Sequence, residues 1–176
     1  MSKAVLISIR PKWCELIASG KKTIEVRKTA PKIETPFKCY IYCTKPSFEY
    51  EDFIALKNGR FIYGGGRVIG EFTCDRIFPI TVEGNGPFSE KRGDGYSEDY
   101  SSKGFYDCLT DKEFDAYLNW KHGYGWHISD LVIYDAPKKL SDFRLYYTSA
   151  VIEHGLPMPT HEIRRPPQSW CYVEEV

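Results

Sequence analysis

Residues 8–27, SIRPKWCELIASGKKTIEVR, carry more structural information than any other stretch of this 176-residue chain. Just before them, Val5–Ile9 reads as a buried strand. Pro11 suits the first turn of a helix, because the N–H it lacks is one that a helix start leaves unbonded anyway. Trp13, Leu16 and Ile17 recur at the spacing of one helix face. Gly20 is the expected stop, since a helix end calls for a left-handed residue and glycine adopts that conformation without a steric penalty. From Thr23 to Arg27 the pattern alternates: Ile24 and Val26 point one way, Thr23, Glu25 and Arg27 the other. The stretch predicts strand, helix, strand, with Lys22 at the entry to the second strand.

Outward from it, Phe37–Cys43 is a third strand that sets Tyr40 and Tyr42 opposite Phe37, Cys39, Ile41 and Cys43. Residues 45–66 suggest a short helix followed by a Gly64-Gly65-Gly66 turn. That glycine run lacks the Lys-Ser/Thr of a phosphate loop. Residues 67–80 read as one long or bent strand, with Gly70 marking a bulge, and residues 84–104 as a long polar loop. Thr110-Asp111-Lys112-Glu113 is a capping box that opens a helix whose Phe114, Tyr117 and Leu118 face the core, ended by His122-Gly123. Residues 126–134 form another strand, broken by Pro137, with a turn at 140–143 and a last strand at 170–173. The order predicts an α+β class: a mostly antiparallel sheet or barrel in a single domain spanning 1–176.

Lys plus Arg and Asp plus Glu each number 24, so the formal net charge is zero. This argues against a polybasic arm and against an acidic disordered tail. The charge is nevertheless unevenly placed. Residues 1–45 hold ten Lys/Arg against Glu15, Glu25 and Glu34, and residues 83–120 hold nine acids against four bases. A local basic surface attracts phosphate with salt-sensitive affinity. Aromatic residues make up 15% of the chain, which raises the question of which of them are core and which are platforms.

No signal peptide and no apolar run of membrane-spanning length is visible, so the expected location is cytoplasmic, without membrane contact. The six cysteines form no C-x-x-C pair and read as small core residues. The four histidines lack metal-ligand spacing, so neither a metal site nor a cofactor is expected.

Pro11, Trp13, Gly20, Lys22, Glu25 and Arg27 stand at the positions of a Pro–aromatic–helix–G-x-K-x-x-E-x-R signature. On these residues the chain resembles the ASCH family of the PUA-like superfamily. The later segments 125–130 (GWHISD) and 167–170 (PQSW) are similar to phage and prophage members. The resemblance implies a PUA-like small, mostly antiparallel β-barrel with flanking helices, embellished at about 45–66 and 83–120. It also implies a cleft for RNA, single-stranded nucleic acid or a nucleotide-like ligand.

The residues themselves suit such a ligand. Arg10, Lys22 and Arg27 supply phosphate donors. Thr23 and Glu25 offer hydroxyl and carboxylate partners for a base edge. Trp13, Tyr40 and Trp126 are aromatic candidates for stacking an unpaired base. The bland reading is an exposed Glu25–Arg27 ion pair worth under about 1 kcal/mol. The expected function is a nucleic-acid binding module, RNA foremost, or a modified-nucleobase binding module. The alternative is a hydrolase acting on nucleosides or RNA, with Lys22 and Glu25 as candidate catalytic residues. Some ASCH proteins are amidohydrolases whose G-x-K-T-I-T-x-R stretch supplies a Lys and a nucleophilic second Thr. Here Glu25 stands where that Thr would be, so the covalent route has no nucleophile at this position. Oligomeric state is open at this level.

Overall fold

In the computed structural model, residues 2–45, 52–80, 107–119, 121–147 and 161–176 are described. The predicted 84–104 loop lies outside them. The elements are β1 (Lys3–Ile9), α1 (Pro11–Ala18), β2 (Ile24–Arg27), β3 (Phe37–Cys43), β4 (Phe53–Ala55), β5 (Phe61–Tyr63), β6 (Arg67–Cys74), β7 (Ile77–Ile80), α2 (Asp111–Leu118), β8 (Gly123–His127), β9 (Ser129–Lys138) and β10 (Trp170–Glu174), with a 3-10 turn at Leu140–Asp142. This is a mostly-strand α+β fold.

The largest sheet has the order β10-β1-β3-β6-β9, and its pairs are antiparallel except for β1 and β3. That parallel pair requires a crossover, and residues 10–36 supply it: they carry α1 and β2 away from the sheet and back. A second, three-stranded antiparallel sheet runs β2-β8-β7, and a third is the β4–β5 hairpin. The strands thus divide among three sheets, and among the described residues none closes on itself as a barrel.

Period-two alternation along β1 and β3 sends successive side chains to two cores, so both strands are buried apart from the half-buried Lys3 and Lys38. Val5, Ile7, Cys39, Ile41 and Cys43 face a core shared with Cys14 and Ile17 of α1. Ala4, Leu6, Tyr40 and Tyr42 face a second core with Val68, Phe143 and Val173. A small third core, of Val26, Ile80, Phe114 and Leu118, seats α2 on the three-stranded sheet.

Several boundaries differ from expectation. Residues 67–80 form two strands in different sheets, as do residues 123–138, and β9 continues through Pro137. Where a short helix was expected in 45–66, the described part is the β4–β5 hairpin, whose Ile54 and Ile62 point inward in strand alternation. Helix α2 stops at Leu118 rather than at His122-Gly123, and Gly123 opens β8. The expected bulge at Gly70 is present. Ile41 pairs with Gly70 and Tyr42 with Val68, which leaves Ile69 as the extra residue. The bulge lets Ile69 and Phe72, three positions apart, share one core.

Candidate functional site

The site grows from the end of β1. Arg10 takes extended backbone ahead of α1, and Pro11 starts the helix. At the other end, Gly20 has φ +75°. Its N–H donates to the Ile17 carbonyl at 2.8 Å, and the Lys21 N–H donates to the Leu16 carbonyl at 2.9 Å. These two bonds form a Schellman stop, which turns the chain sharply and delivers Lys22 beside β2. Pairing of β2 with β8 then fixes Glu25 and Arg27 two residues apart on one strand face.

Those three side chains form a buried charge cluster: Lys22 is 1% exposed, Glu25 6% and Arg27 6%. Glu25 lies between the cations, with Oε2 3.3 Å from Lys22 Nζ and Oε1 2.9 Å from Arg27 Nη2. Lys22 Nζ also donates to the Asp107 carbonyl at 2.5 Å, and Arg27 Nη2 to the Ser8 carbonyl at 2.7 Å. Charges this far from water persist only when paired and hydrogen-bonded. The exposed Glu25–Arg27 pair of the bland reading is therefore not what the structure contains. Arg27 Nε is buried without a hydrogen-bond partner among the described residues.

The cluster lines a cleft of about 870 Å³. Its basic lining residues are Arg10, Lys22, Arg27 and Lys28, against the carboxylates of Glu25 and Glu113. Trp13 and Tyr117 contribute aromatic surface from α1 and α2, and Ser8, Gln168 and Ser169 contribute polar atoms. Lys22 Nζ lies 5.3 Å and Lys12 Nζ 4.4 Å from the Trp13 ring centroid, both within cation–π range. Lys12 Nζ also meets Glu113 Oε1 at 2.6 Å, an exposed bridge from α1 to α2.

The capping box is formed as predicted: Glu113 N–H donates to Thr110 Oγ1 at 3.3 Å and Thr110 N–H to Glu113 Oε2 at 3.0 Å. The Lys12 hydrogen bond, then those from Thr110, hold the Glu113 carboxyl down at about 2. Burial pushes the Tyr117 phenol up, while the nearby Arg27 guanidinium pulls it the other way.

Of the residues expected to bind ligand, the structure brings Arg10, Trp13, Lys22, Glu25 and Arg27 to this cleft. Thr23 does not line it; half-buried ahead of β2, it accepts the Ile128 N–H at 2.8 Å through its carbonyl. Tyr40 lies in the second core, packed at 4.9 Å on Phe143 with its hydroxyl accepting the Val176 N–H at 2.8 Å. Trp126 is wholly buried in the first core, edge-on to Phe37 at 5.9 Å. Both aromatics are core because their sheet faces are covered on either side.

Sequence reasoning missed Ser8, Lys28, Tyr117, Gln168 and Ser169 as lining residues. The helical spacing puts Tyr117 on the α2 core face, which it does partly join. Ser169 had a usable signal in the 167–170 segment. Its Oγ lies 3.5 Å from Arg27 Nη1, and its carbonyl accepts the Ser8 N–H at 2.9 Å. Among the described residues no group of three His, Cys, Asp or Glu side chains is placed to hold a metal ion.

The strand–helix–strand crossover that carries the Lys-Glu-Arg cluster is also where the chain is similar to a known family. Residues 7–75 match the family model described as the ASCH domain. Two solved structures share the fold. The crystal structure of ASCH from Zymomonas mobilis aligns with a TM-score of 0.53 at 19% identity, covering 98% of this chain and 88% of that one. A tyrosine-to-phenylalanine mutant of ZmASCH from the same organism aligns with a TM-score of 0.52 at 19% identity, covering 99% and 92%. No curated protein matches the chain.

Proposed function

We propose that this chain, acting as a single domain, is a binding module for single-stranded nucleic acid, RNA foremost, or for a nucleotide-like ligand held in the Lys22–Glu25–Arg27 cleft. The observation that carries this reading is the lining of the cleft: four cationic residues against two carboxylates, with Trp13 and Tyr117 on its walls. A net-positive, partly aromatic cleft suits a phosphate joined to a flat base, the cations taking the phosphate and a ring taking the base face. Glu25, paired with both Lys22 and Arg27, fixes the two buried cations in place beside the cleft. The ASCH domain match agrees, since that family is generally linked to RNA binding.

The alternative, hydrolysis of nucleosides or RNA through Lys22 and Glu25, has less support. Both Glu25 oxygens are engaged by cations, and Lys22 is tied to the Asp107 carbonyl. Binding of short labelled RNA, DNA and nucleoside monophosphates at low salt tests the proposal. Substitution of the exposed rim residues Arg10 and Lys28 by Ala should weaken RNA binding uniformly across sequences and lower the salt slope by about 1 each. Absence of binding across that panel defeats the proposal. Turnover of RNA or an acylated nucleoside that is lost in Glu25→Gln favours the hydrolase instead.

A further inference from the structure

The β4–β5 hairpin is built in an unusual way. Its inward residues, Ile54 and Ile62, are buried, while the outward positions hold three aromatics: Phe53, 57% exposed, Phe61, 68%, and Tyr63, 47%. The register pairs Phe53 with Tyr63, and their rings meet edge to face at 5.7 Å. Phe61 and Tyr63 lie two residues apart on the same strand face, about 7 Å along the strand. Isolated exposed apolar residues need no explanation, but three aromatics on one face of so short a hairpin form a patch.

Tyr63 is also one wall of a surface groove of about 650 Å³, separate from the cleft, whose charged lining residues are Arg67, Lys138, Lys139 and Asp142. Asp142 accepts the Lys139 backbone N–H at 2.8 Å, and no described carboxylate pairs with Arg67. Lys138 Nζ lies 4.5 Å from the Tyr134 ring centroid. On the hairpin side, the Asp52 carboxylate accepts a hydrogen bond from the Tyr63 hydroxyl at 3.5 Å. The groove is net positive and begins where the aromatic patch ends.

We propose that this face is a second contact surface for single-stranded nucleic acid, independent of the cleft: the hairpin aromatics stack bases and the Arg67–Lys138–Lys139 strip takes the phosphates. Stacking platforms for single strands combine these two elements, aromatic rings and a cationic track beside them. A protein partner would also use the aromatics, but lysine is depleted at protein interfaces, and two of the three cations here are lysines.

Fluorescence anisotropy with a labelled 12-nucleotide RNA, its DNA counterpart and a labelled nucleoside monophosphate tests the surface. Two variants serve: one with Phe53, Phe61 and Tyr63 each changed to Ser, and one with Arg67→Ala, Lys138→Ala and Lys139→Ala. All six positions lie outside the cleft. The expected result is at least a tenfold loss of 12-mer affinity in each variant. The charge variant should also show a salt slope shallower by about 2 to 3. Nucleoside monophosphate binding should stay at the wild-type level in both. If both variants, folded by circular dichroism, keep wild-type 12-mer affinity, the surface is not a nucleic-acid contact and the proposal fails. It also fails if the aromatic variant keeps that affinity and loses only self-association in sedimentation. If the wild type binds no mononucleotide, and Arg10→Ala with Lys28→Ala leaves 12-mer affinity unchanged, the cleft reading fails and this one stands.

Discussion

Arg27 Nη2 reaches the Glu25 carboxylate at 2.9 Å and the Ser8 carbonyl at 2.7 Å, so one guanidinium ties β2 to the end of β1 across the cleft. The Glu25 carboxylate lies within ion-pair distance of both Lys22 and Arg27. Glu25→Gln should therefore destabilise the protein by about 3–5 kcal/mol, because it takes from two buried cations the charge they share. Exchange of Lys22, Glu25 and Arg27 together for Met should cost less stability yet abolish ligand binding. Urea unfolding beside a binding assay separates the two effects.

Gly20 controls the delivery of Lys22. With φ at +75°, an Ala there costs about 1–2 kcal/mol for the left-handed backbone. The added Cβ would meet only the flexible end of Lys57, at 3.2 Å, so backbone strain is the main cost. Gly20→Ala should lower Tm by several degrees and weaken cleft binding. Gly59→Ala, also at positive φ but outside the cleft lining, should affect Tm alone.

The Lys12–Glu113 bridge joins the two helices that flank the cleft. The folded-state carboxyl titrates at about 2, below an ordinary glutamate near 4.5. A group depressed in the folded state stabilises it above the ordinary value and loses that contribution as pH falls through the folded one. The bridge should thus be intact at pH 5 and weaken between about 4.5 and 2. NMR titration of the Glu113 side chain should show a midpoint near 2, and Lys12→Ala should move it upward.

Gly70 faces backbone. A Cβ there would lie 2.3 Å from the Val132 carbonyl oxygen and 3.1 Å from Ile133 Cα. Gly70→Ala should separate β6 from β9 at the bulge and cost about 3 kcal/mol or more, measured by chemical unfolding.

Trp126 distinguishes core from site. Its ring is wholly buried and its Nε1 has no hydrogen-bond partner among the described residues. Trp126→Phe should cost about 1–3 kcal/mol through lost packing, with no hydrogen bond surrendered. Cleft affinity should remain at the wild-type level.

Much of the N-terminal architecture can be read locally. Pro11, Gly20 and the alternation from Thr23 to Arg27 each dictate backbone geometry within a few residues, and strand, helix, stop and strand follow. The facing of Glu25 and Arg27 was legible for the same reason. Tyr40 and Trp126 were not, because an aromatic opposite an apolar strand face looks alike whether solvent or another segment covers it. Phe143 and Val173, more than a hundred residues downstream, cover Tyr40. The burial of Lys22 likewise depends on Asp107, 85 positions away. Alternation also failed to reveal that 123–138 divides between two sheets, since the strand pattern is continuous while the pairing partners change.

The cleft is closed by the two ends of the described chain: Ser8 near the start, and Pro167 to Ser169 ahead of β10, which pairs with β1. This has a consequence for synthesis on the ribosome. Domains form as the chain emerges from its N-terminus at about 5–20 residues per second. A nascent chain could therefore carry α1, β2 and the complete charge cluster of the crossover while its first strand still lacked an outer neighbour. The cleft is complete only once residues 167–169 have left the exit tunnel and bonded to Ser8.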